Sequence, residues 1–188
     1  MNGDAAVIGD AIIIQSGAVR FRRSAAKDLD FILALERAEE NRKFIGQWTR
    51  EQHASSFADR DILHLIVEML VEDNKTMTPV GYAIIKGLTS PDDSIELMRV
   101  VIADKGKGYG REALRLVKKL AFEELKAHRL WLDVRSHNER AKRLYQSEGF
   151  IKEGVLRECK KTEKGYESLE VLSMLAREYL SNHGGFFQ

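Results

Sequence analysis

The chain holds a single cysteine, Cys159, and only two prolines, and no apolar run in it approaches the roughly 20 residues a membrane-spanning helix needs. One cysteine excludes an internal disulfide and fits a reducing compartment. No histidine stands near it in sequence, so Cys159 reads as a buried or idle thiol, not a nucleophile. The five histidines are scattered without metal-ligand spacing, so no metal is expected. Thirty basic side chains against 29 acidic ones leave a formal charge of +1, which excludes a global attraction to nucleic acid or to an anionic membrane surface. The apolar segment from Ala5 to Ile14 is interrupted by Asp10 and lacks a basic leader, so it is neither a targeting signal nor a span. The chain therefore reads as cytoplasmic. Repeats, low-complexity tracts and linkers are absent too, and 188 residues make one domain, 19–180, between a leader or short strand, 1–18, and a tail, 181–188.

What is present is a periodic pattern that changes from segment to segment. Residues Met1 to Gly9 form a loose leader; Ile12 to Ile14 and Val19 to Arg22 are two extended pieces around Gln15-Ser16-Gly17. Asp28 to Glu40 carries an i, i+3, i+4 apolar stripe and predicts one helix. Thr49-Arg50-Glu51-Gln52 is a capping box that opens a second. Ile62–Val71, Val80–Leu88 and Ile95–Ile102 then read as a three-strand meander, with turns at Glu72 to Lys75 and Ser90 to Asp93. Ala113, Leu116, Val117, Leu120, Ala121 and Leu125 form one face of an amphipathic helix, and Arg129 to Arg135 a strand after it, which makes a parallel βαβ unit. Ser136-His137-Asn138-Glu139 reads as a second capping box, and Gly149 closes that helix in a left-handed conformation. Phe150–Glu158 and Tyr166–Met174 are strands joined through Gly165, and the tail from Ser181 shows no pattern.

The junction at residues 100–116 carries the chemistry. A β-branched run ends at Ala103, glycines follow at Gly106, Gly108 and Gly110, and a helix begins at once. Unpaired N–H groups and the positive end of the helix dipole attract an anion there, glycines let a phosphate approach the backbone, and Lys105 and Lys107 add charge. A P-loop would need four residues between its first glycine and a Gly-Lys-Ser/Thr; a dinucleotide fingerprint would need a glycine where Arg111 stands. Neither is present.

Lys105 to Gly110, together with Asn138-Glu139-Arg140-Ala141-Lys142-Arg143-Leu144-Tyr145-Gln146-Ser147-Glu148-Gly149-Phe150, resembles the GNAT superfamily of acyl-CoA-dependent N-acetyltransferases. The first segment matches the family's Arg/Gln-x-x-Gly-x-Gly/Ala loop, and the second its Asn-x-x-Ala-x-x-x-Tyr-x-x-x-Gly-Phe signature. The resemblance covers Val19 to Tyr179 and is greatest to the ribosomal-protein and polyamine N-acetyltransferase branch. Two departures stand out: Lys105 replaces the arginine or glutamine, and the approach from Ile102 to the glycines is shorter, which leaves the oxyanion donor unassigned.

The resemblance implies an α+β sandwich with a mixed, mostly antiparallel sheet, a βαβ unit and helices on both faces. It also implies acetyl-CoA as co-substrate, a small-molecule or peptide amine as acceptor, and direct transfer in a ternary complex. The N–H groups of Gly106, Lys107, Gly108, Tyr109, Gly110 and Arg111 would hold the pyrophosphate. The pantetheine arm would lie where the strand through Val100 and Ile102 parts from its parallel neighbour, with Asn138 bonded to it. Tyr145 would protonate the thiolate and Glu96 would take the amine proton, with His64 and Asp133 as weaker candidates for that base. Acceptor specificity is expected from Glu36 to Phe57, where Glu39, Glu40 and Trp48 could wall a cationic amine, and from the hairpin around Lys161 to Tyr166. A non-catalytic acyl-CoA-binding module is the alternative reading. A homodimer would form through an edge strand or the C-terminal hairpin.

Overall fold

Burial alternates from Ser94 to Ile102, so that Ile95, Leu97, Arg99 and Val101 of the resulting strand are buried. In the computed structural model, which describes residues 12–71 and 76–183, this strand is the centre of an eight-stranded sheet. The strands are β1 (Ile12–Ser16), β2 (Val19–Arg23), β3 (Ile62–Val71), β4 (Thr76–Lys86), β5 (Ser94–Ile102), β6 (Arg129–Arg135), β7 (Ile151–Thr162) and β8 (Gly165–Leu175), in the spatial order β1-β2-β3-β4-β5-β6-β8-β7. All neighbours are antiparallel except β5 and β6, which are parallel. The helices are α1 (Leu29–Arg37), α2 (Glu39–Arg42), α3 (Arg50–Ser56), α4 (Tyr109–Lys119), α5 (Glu139–Ser147) and α6 (Ala176–His183). The expected mixed sheet with a βαβ unit and helices on both faces is the fold observed.

Each face of the sheet buries its own apolar layer. Leu97, Leu114, Val117, Leu130 and Leu132 pack on the side of α4, and Ile32, Leu35, Ile66, Tyr82 and Ile84 on the side of α1. The two layers meet through an irregularity in β5. Ile85 lies opposite Leu97 but Ile84 lies opposite Arg99, so Met98 is an extra residue. One extra residue reverses the parity of everything after it. Ile95 and Leu97 face the α4 layer before the bulge; Val101 joins the α1 layer after it, and Val100 and Ile102 pack toward α4.

At the same place β5 leaves β6. The two strands share only the pairs Ser94–Arg129, Ile95–Leu130 and Glu96–Trp131. Beyond them β5 pairs with β4 as far as Ile102, and β6 with β8 as far as Arg135. A fork opens between them.

Several boundaries differ from the sequence reading. The expected helix from Asp28 to Glu40 breaks at Ala38, whose ψ is 130°. The apolar stripe stops at Leu35, and Asn41 Nδ2 donates to Leu35 O at 2.8 Å, satisfying a carbonyl of the helix end. The second helix cap is Asn138, which accepts from Ala141 N at 3.2 Å; Ser136 lies in the preceding turn and does not form the expected box. Strand β4 begins before Pro79, because the bulge opposite Val67 and Glu68 absorbs the proline. After Lys119, α4 widens into a π-type turn with Leu125 N donating to Leu120 O at 2.9 Å. Strand β7 runs on to Thr162. The segment from Ala176, read as partly patternless tail, is α6, seated by Tyr179 stacked on Phe122 at 4.9 Å. The capping box at Thr49, the left-handed Gly149 and the hairpin at Gly165 are as read. The leader Met1 to Gly9, the turn at Glu72 to Lys75 and the last five residues lie outside the described residues.

A buried carboxylate ties the two helices beside the fork together. Glu148, at the end of α5, accepts from Lys118 Nζ at 2.9 Å and pairs with Arg111 and Arg115 on α4. Burial alone would raise its pKa; the bonds from Lys118 and Arg111 hold it below the ordinary carboxylate range. Lys118 is itself 3% exposed. Replacing Glu148 by Ala strands that ammonium, and we expect a loss of about 3 kcal/mol in urea unfolding. The double variant Glu148→Ala/Lys118→Met should recover much of it.

Candidate active site

The glycine turn is shaped by its backbone. Gly106 and Gly108 have φ of +86° and +83°, a region closed to most side chains, although a Cβ at either would meet nothing within 4 Å. Conformation, not space, requires glycine there. Gly108 is the N-cap of α4, and Arg111 N donates to Gly108 O at 2.9 Å. That corrects one expectation: the Arg111 N–H is committed within the first turn, and its guanidinium goes to Ser147 and Glu148. The lysines are also engaged. Lys105 Nζ sits 2.9 Å from Glu40 Oε1 and bonds Asn41 Oδ1, while Lys107 Nζ reaches Asp104 at 2.7 Å. Lys105 thus ties the turn to α2.

The fork and the glycine turn open into one cavity of about 1200 Å³. Its walls bring together Glu96, Val100 and Ile102 of β5, Lys105 to Gly110 of the turn apart from Lys107 and Tyr109, Asp133 of β6, and Asn138, Ala141 and Tyr145 of the α5 region. Asn138 Oδ1 accepts the bond of its cap, and its Nδ2–H2 group is a donor able to face a ligand. Ala141 and Tyr145 rest on the α4-side core.

Glu96 and Asp133 stand on either side of the fork. Burial and the charge of Asp133 raise the pKa of Glu96. Burial raises that of Asp133 as well, with Lys160 and Arg135 pulling it back. Tyr145 is pushed up to about 12 by burial and by the Asp133 charge, so it is a protonated phenol at neutral pH. Two carboxyl groups and a protonated phenol therefore line the same cavity.

The far wall rests on a buried ionic cluster. Glu36, 1% exposed, accepts from Tyr82 Oη, Arg99 Nη1 and Trp48 N, and His53 Nε2 lies 3.2 Å from its Oε1. Burial would raise its pKa, but the bonds from His53 and Tyr82 and the Arg99 charge hold it down to about 2. Arg99 lies over the Trp48 ring at 4.9 Å, and both line the cavity. Phe44 meets His137 across the opening, ring centroids 5.4 Å apart. Of the expected acceptor wall, Glu40 and Trp48 line the cavity and Glu39 does not.

His64 is a further correction. It is buried on the α1 side, bonded to Ser24 Oγ at 2.8 Å and to His53 Nδ1 at 3.0 Å, and it does not line the cavity. Burial and the nearby His53 and Arg99 lower its pKa to about 3. Cys159, the expected buried or idle thiol, is exposed on β7.

Residues 19–151 match the acetyltransferase (GNAT) domain. The chain belongs to the GNAT acetyltransferase family. Its relatives include "Probable N-acetyltransferase YjcK" of Bacillus subtilis, 41% identical over 73 residues, which covers 39% of this chain and 40% of that one. A spermidine N(1)-acetyltransferase of Vibrio cholerae is 27% identical over 164 residues, covering 82% and 91%. The chain spans less than half the length of the two Bacillus subtilis relatives it matches. Among solved structures, a mutant of the SpeG spermidine N-acetyltransferase of Vibrio cholerae superposes with a TM-score of 0.75 at 23% identity, over 89% of this chain and 99% of that one. That last likeness shows the fold. Among the described residues of this GNAT protein, no helix is long and apolar enough to cross a membrane and no cluster of side chains is arranged to hold a metal.

Arg99, His137 and Lys160 were not singled out in the sequence as cavity or wall residues, and Glu36 and Phe44 fell only within the broad acceptor segment from Glu36 to Phe57. No local pattern marks them. Arg99 and Glu36 come together from positions 63 residues apart.

Two groups make the fold sensitive to acid. Glu36 ionises in the native state at a lower pH than when unfolded, and His64 resists protonation until a lower pH. In both cases the unfolded chain binds the extra proton first, so stability is present at high pH and lost on acidification. For His64 the loss spans pH 6.5 down to about 3, and for Glu36 from about 4.5 down to about 2. Urea titrations should show about 3 kcal/mol less stability at pH 4 than at pH 7. His64→Gln should flatten the upper part of that dependence.

Proposed function

We propose that this protein transfers an acetyl group from acetyl-CoA to a primary alkyl amine, directly and in a ternary complex. The observation that carries the reading is the convergence on one cavity of an anion-accepting glycine turn, an unpaired strand edge, a half-buried carboxylate and a protonated tyrosine. The residues fit the co-substrate. N–H groups of Gly106 to Gly110 receive the pyrophosphate, and the first turn of α4 adds its dipole. The edge of β5 past Glu96, with no strand beside it among the described residues, offers main-chain groups near Val100 and Ile102 to the pantetheine amides. Asn138 Nδ2 adds a donor from the other side.

Glu96 accepts the proton of the incoming ammonium, so that a neutral amine faces the thioester. Its raised pKa brings it nearer the operating pH, where a base works best. Tyr145 donates its phenolic proton to the departing thiolate. The cleft's carboxylates, Glu96 and Asp133, favour an acceptor that arrives as a cation. The spermidine N(1)-acetyltransferase relative makes polyamines the first acceptors to assay. Exposed Cys159 fits a reducing, cytoplasmic setting. Strand β7, an outer strand with Ile151, Val155 and Leu156 exposed, is where we place pairing with a second copy.

Calorimetry should detect binding of acetyl-CoA and CoA; no heat at millimolar ligand sinks the reading. Tyr145→Phe should lower kcat about 100-fold with cofactor affinity nearly intact. Glu96→Gln should lower kcat about 10- to 100-fold at neutral pH and abolish the rise of activity with pH that ionisation of Glu96 produces. Binding without any CoA release across an amine panel would instead identify a non-catalytic binder.

A further inference from the structure

Strand β7 leaves regular pairing shortly before its end. Leu156 lies opposite Leu169 and Lys160 opposite Glu167, so four steps along β7 answer two along β8. Within the extra chain, Glu158 takes a left-handed φ of +50° and donates its N–H to Ser168 Oγ at 2.9 Å. A non-glycine residue in that region costs energy, and a bulge of this kind re-aims the side chains after it. The side chain re-aimed is Lys160.

Lys160 is the one residue of β7 that lines the cavity holding Glu96, Asp133 and Tyr145. Its charge acts on both carboxylates, yet among the described residues no carboxylate stands within 4.0 Å of its ammonium. By contrast, Lys152 of the same strand and Arg135 of β6 are locked in ion pairs with Glu170 and Glu167. An unlocked primary amine on a flexible four-carbon stem, beside a carboxylate pair and in the same cavity as a proton-donating tyrosine, has the features required of the acceptor itself.

We infer that Lys160 is an acceptor in cis: the protein acetylates its own Lys160 Nζ. The inference rests on the acetyl-transfer reading above. Glu96 or Asp133 takes one proton from the ammonium, and the neutral Nζ attacks the acetyl carbonyl carbon. A C–N bond forms, the C–S bond breaks, the thiolate takes a proton from Tyr145, and the second proton lost by the nitrogen on becoming an amide restores the Tyr145 phenol through solvent. The products are Nε-acetyl-Lys160 and CoA. Acetylation removes the ammonium whose charge acts on the two carboxylates.

The test incubates the full chain with acetyl-CoA and no added amine, and follows each lysine by peptide mass spectrometry. Lys160 should be acetylated at least about tenfold faster than Lys161 and Lys164 of the same hairpin. Its rate constant should not change on dilution of the protein. Tyr145→Phe should slow Lys160 alone and leave the chemical background at Lys161 and Lys164 unmoved. Labelling of Lys160 no faster than its neighbours, in a protein that binds acetyl-CoA and acetylates an added alkyl amine, overturns the inference and leaves the acetyl-transfer reading standing. A rate that scales with protein concentration places the reaction between copies and also overturns it. Failure to bind acetyl-CoA removes both.

Discussion

The three shared pairs between β5 and β6 are the constraint on which the rest of the site depends. Two parallel strands that stayed paired over their full length would bury their main-chain groups in each other and leave no opening. Here the pairing stops at Glu96 and Trp131, and the bulge at Met98 turns β5 so that Arg99 and Val101 enter the α1 face. The same residue count that spoils the ladder therefore opens the cavity and assigns its walls.

The two walls are held by opposite means. On the α4 side, apolar packing dominates and one carboxylate, Glu148, fastens α4 to α5 through Lys118, Arg111 and Arg115. On the α1 side, a buried cluster around Glu36 joins α1, α3, β4 and β5. A buried ionic cluster is a weak source of net stability but is costly to break, because a lost partner leaves a charge in a dry interior. The α1 side is thereby the acid-sensitive side. Its side chains are also those whose displacement would move Arg99 and Trp48 in the cavity wall.

Much of this was legible along the chain wherever a signal is local. Periodicity, capping at Thr49, the glycine turn before α4 and the left-handed cap at Gly149 depend on neighbours within a few residues, and they located the elements that build the site. Two readings failed for a local reason as well. The Ser136 box lost to Asn138, an equally good cap two positions on, and the helix from Asp28 stopped where its apolar stripe ended. The GNAT resemblance supplied the mixed, mostly antiparallel sheet and the parting of its parallel pair, which period and spacing do not contain.

The amino-acid sequence alone determined the glycine turn, the amphipathic α4, the βαβ unit and the family signature, because each is a short-range pattern whose physics is complete within one or two elements. Only the tertiary structure decided that Arg111 spends its N–H inside the helix, that His64 belongs to a buried cluster, and that Glu96 and Asp133 face each other across the fork. It alone brought Lys160 to them from the far end of the sheet. Those outcomes depend on register, bulges and burial between distant segments, and such contacts leave no mark on the residues beside them in the chain.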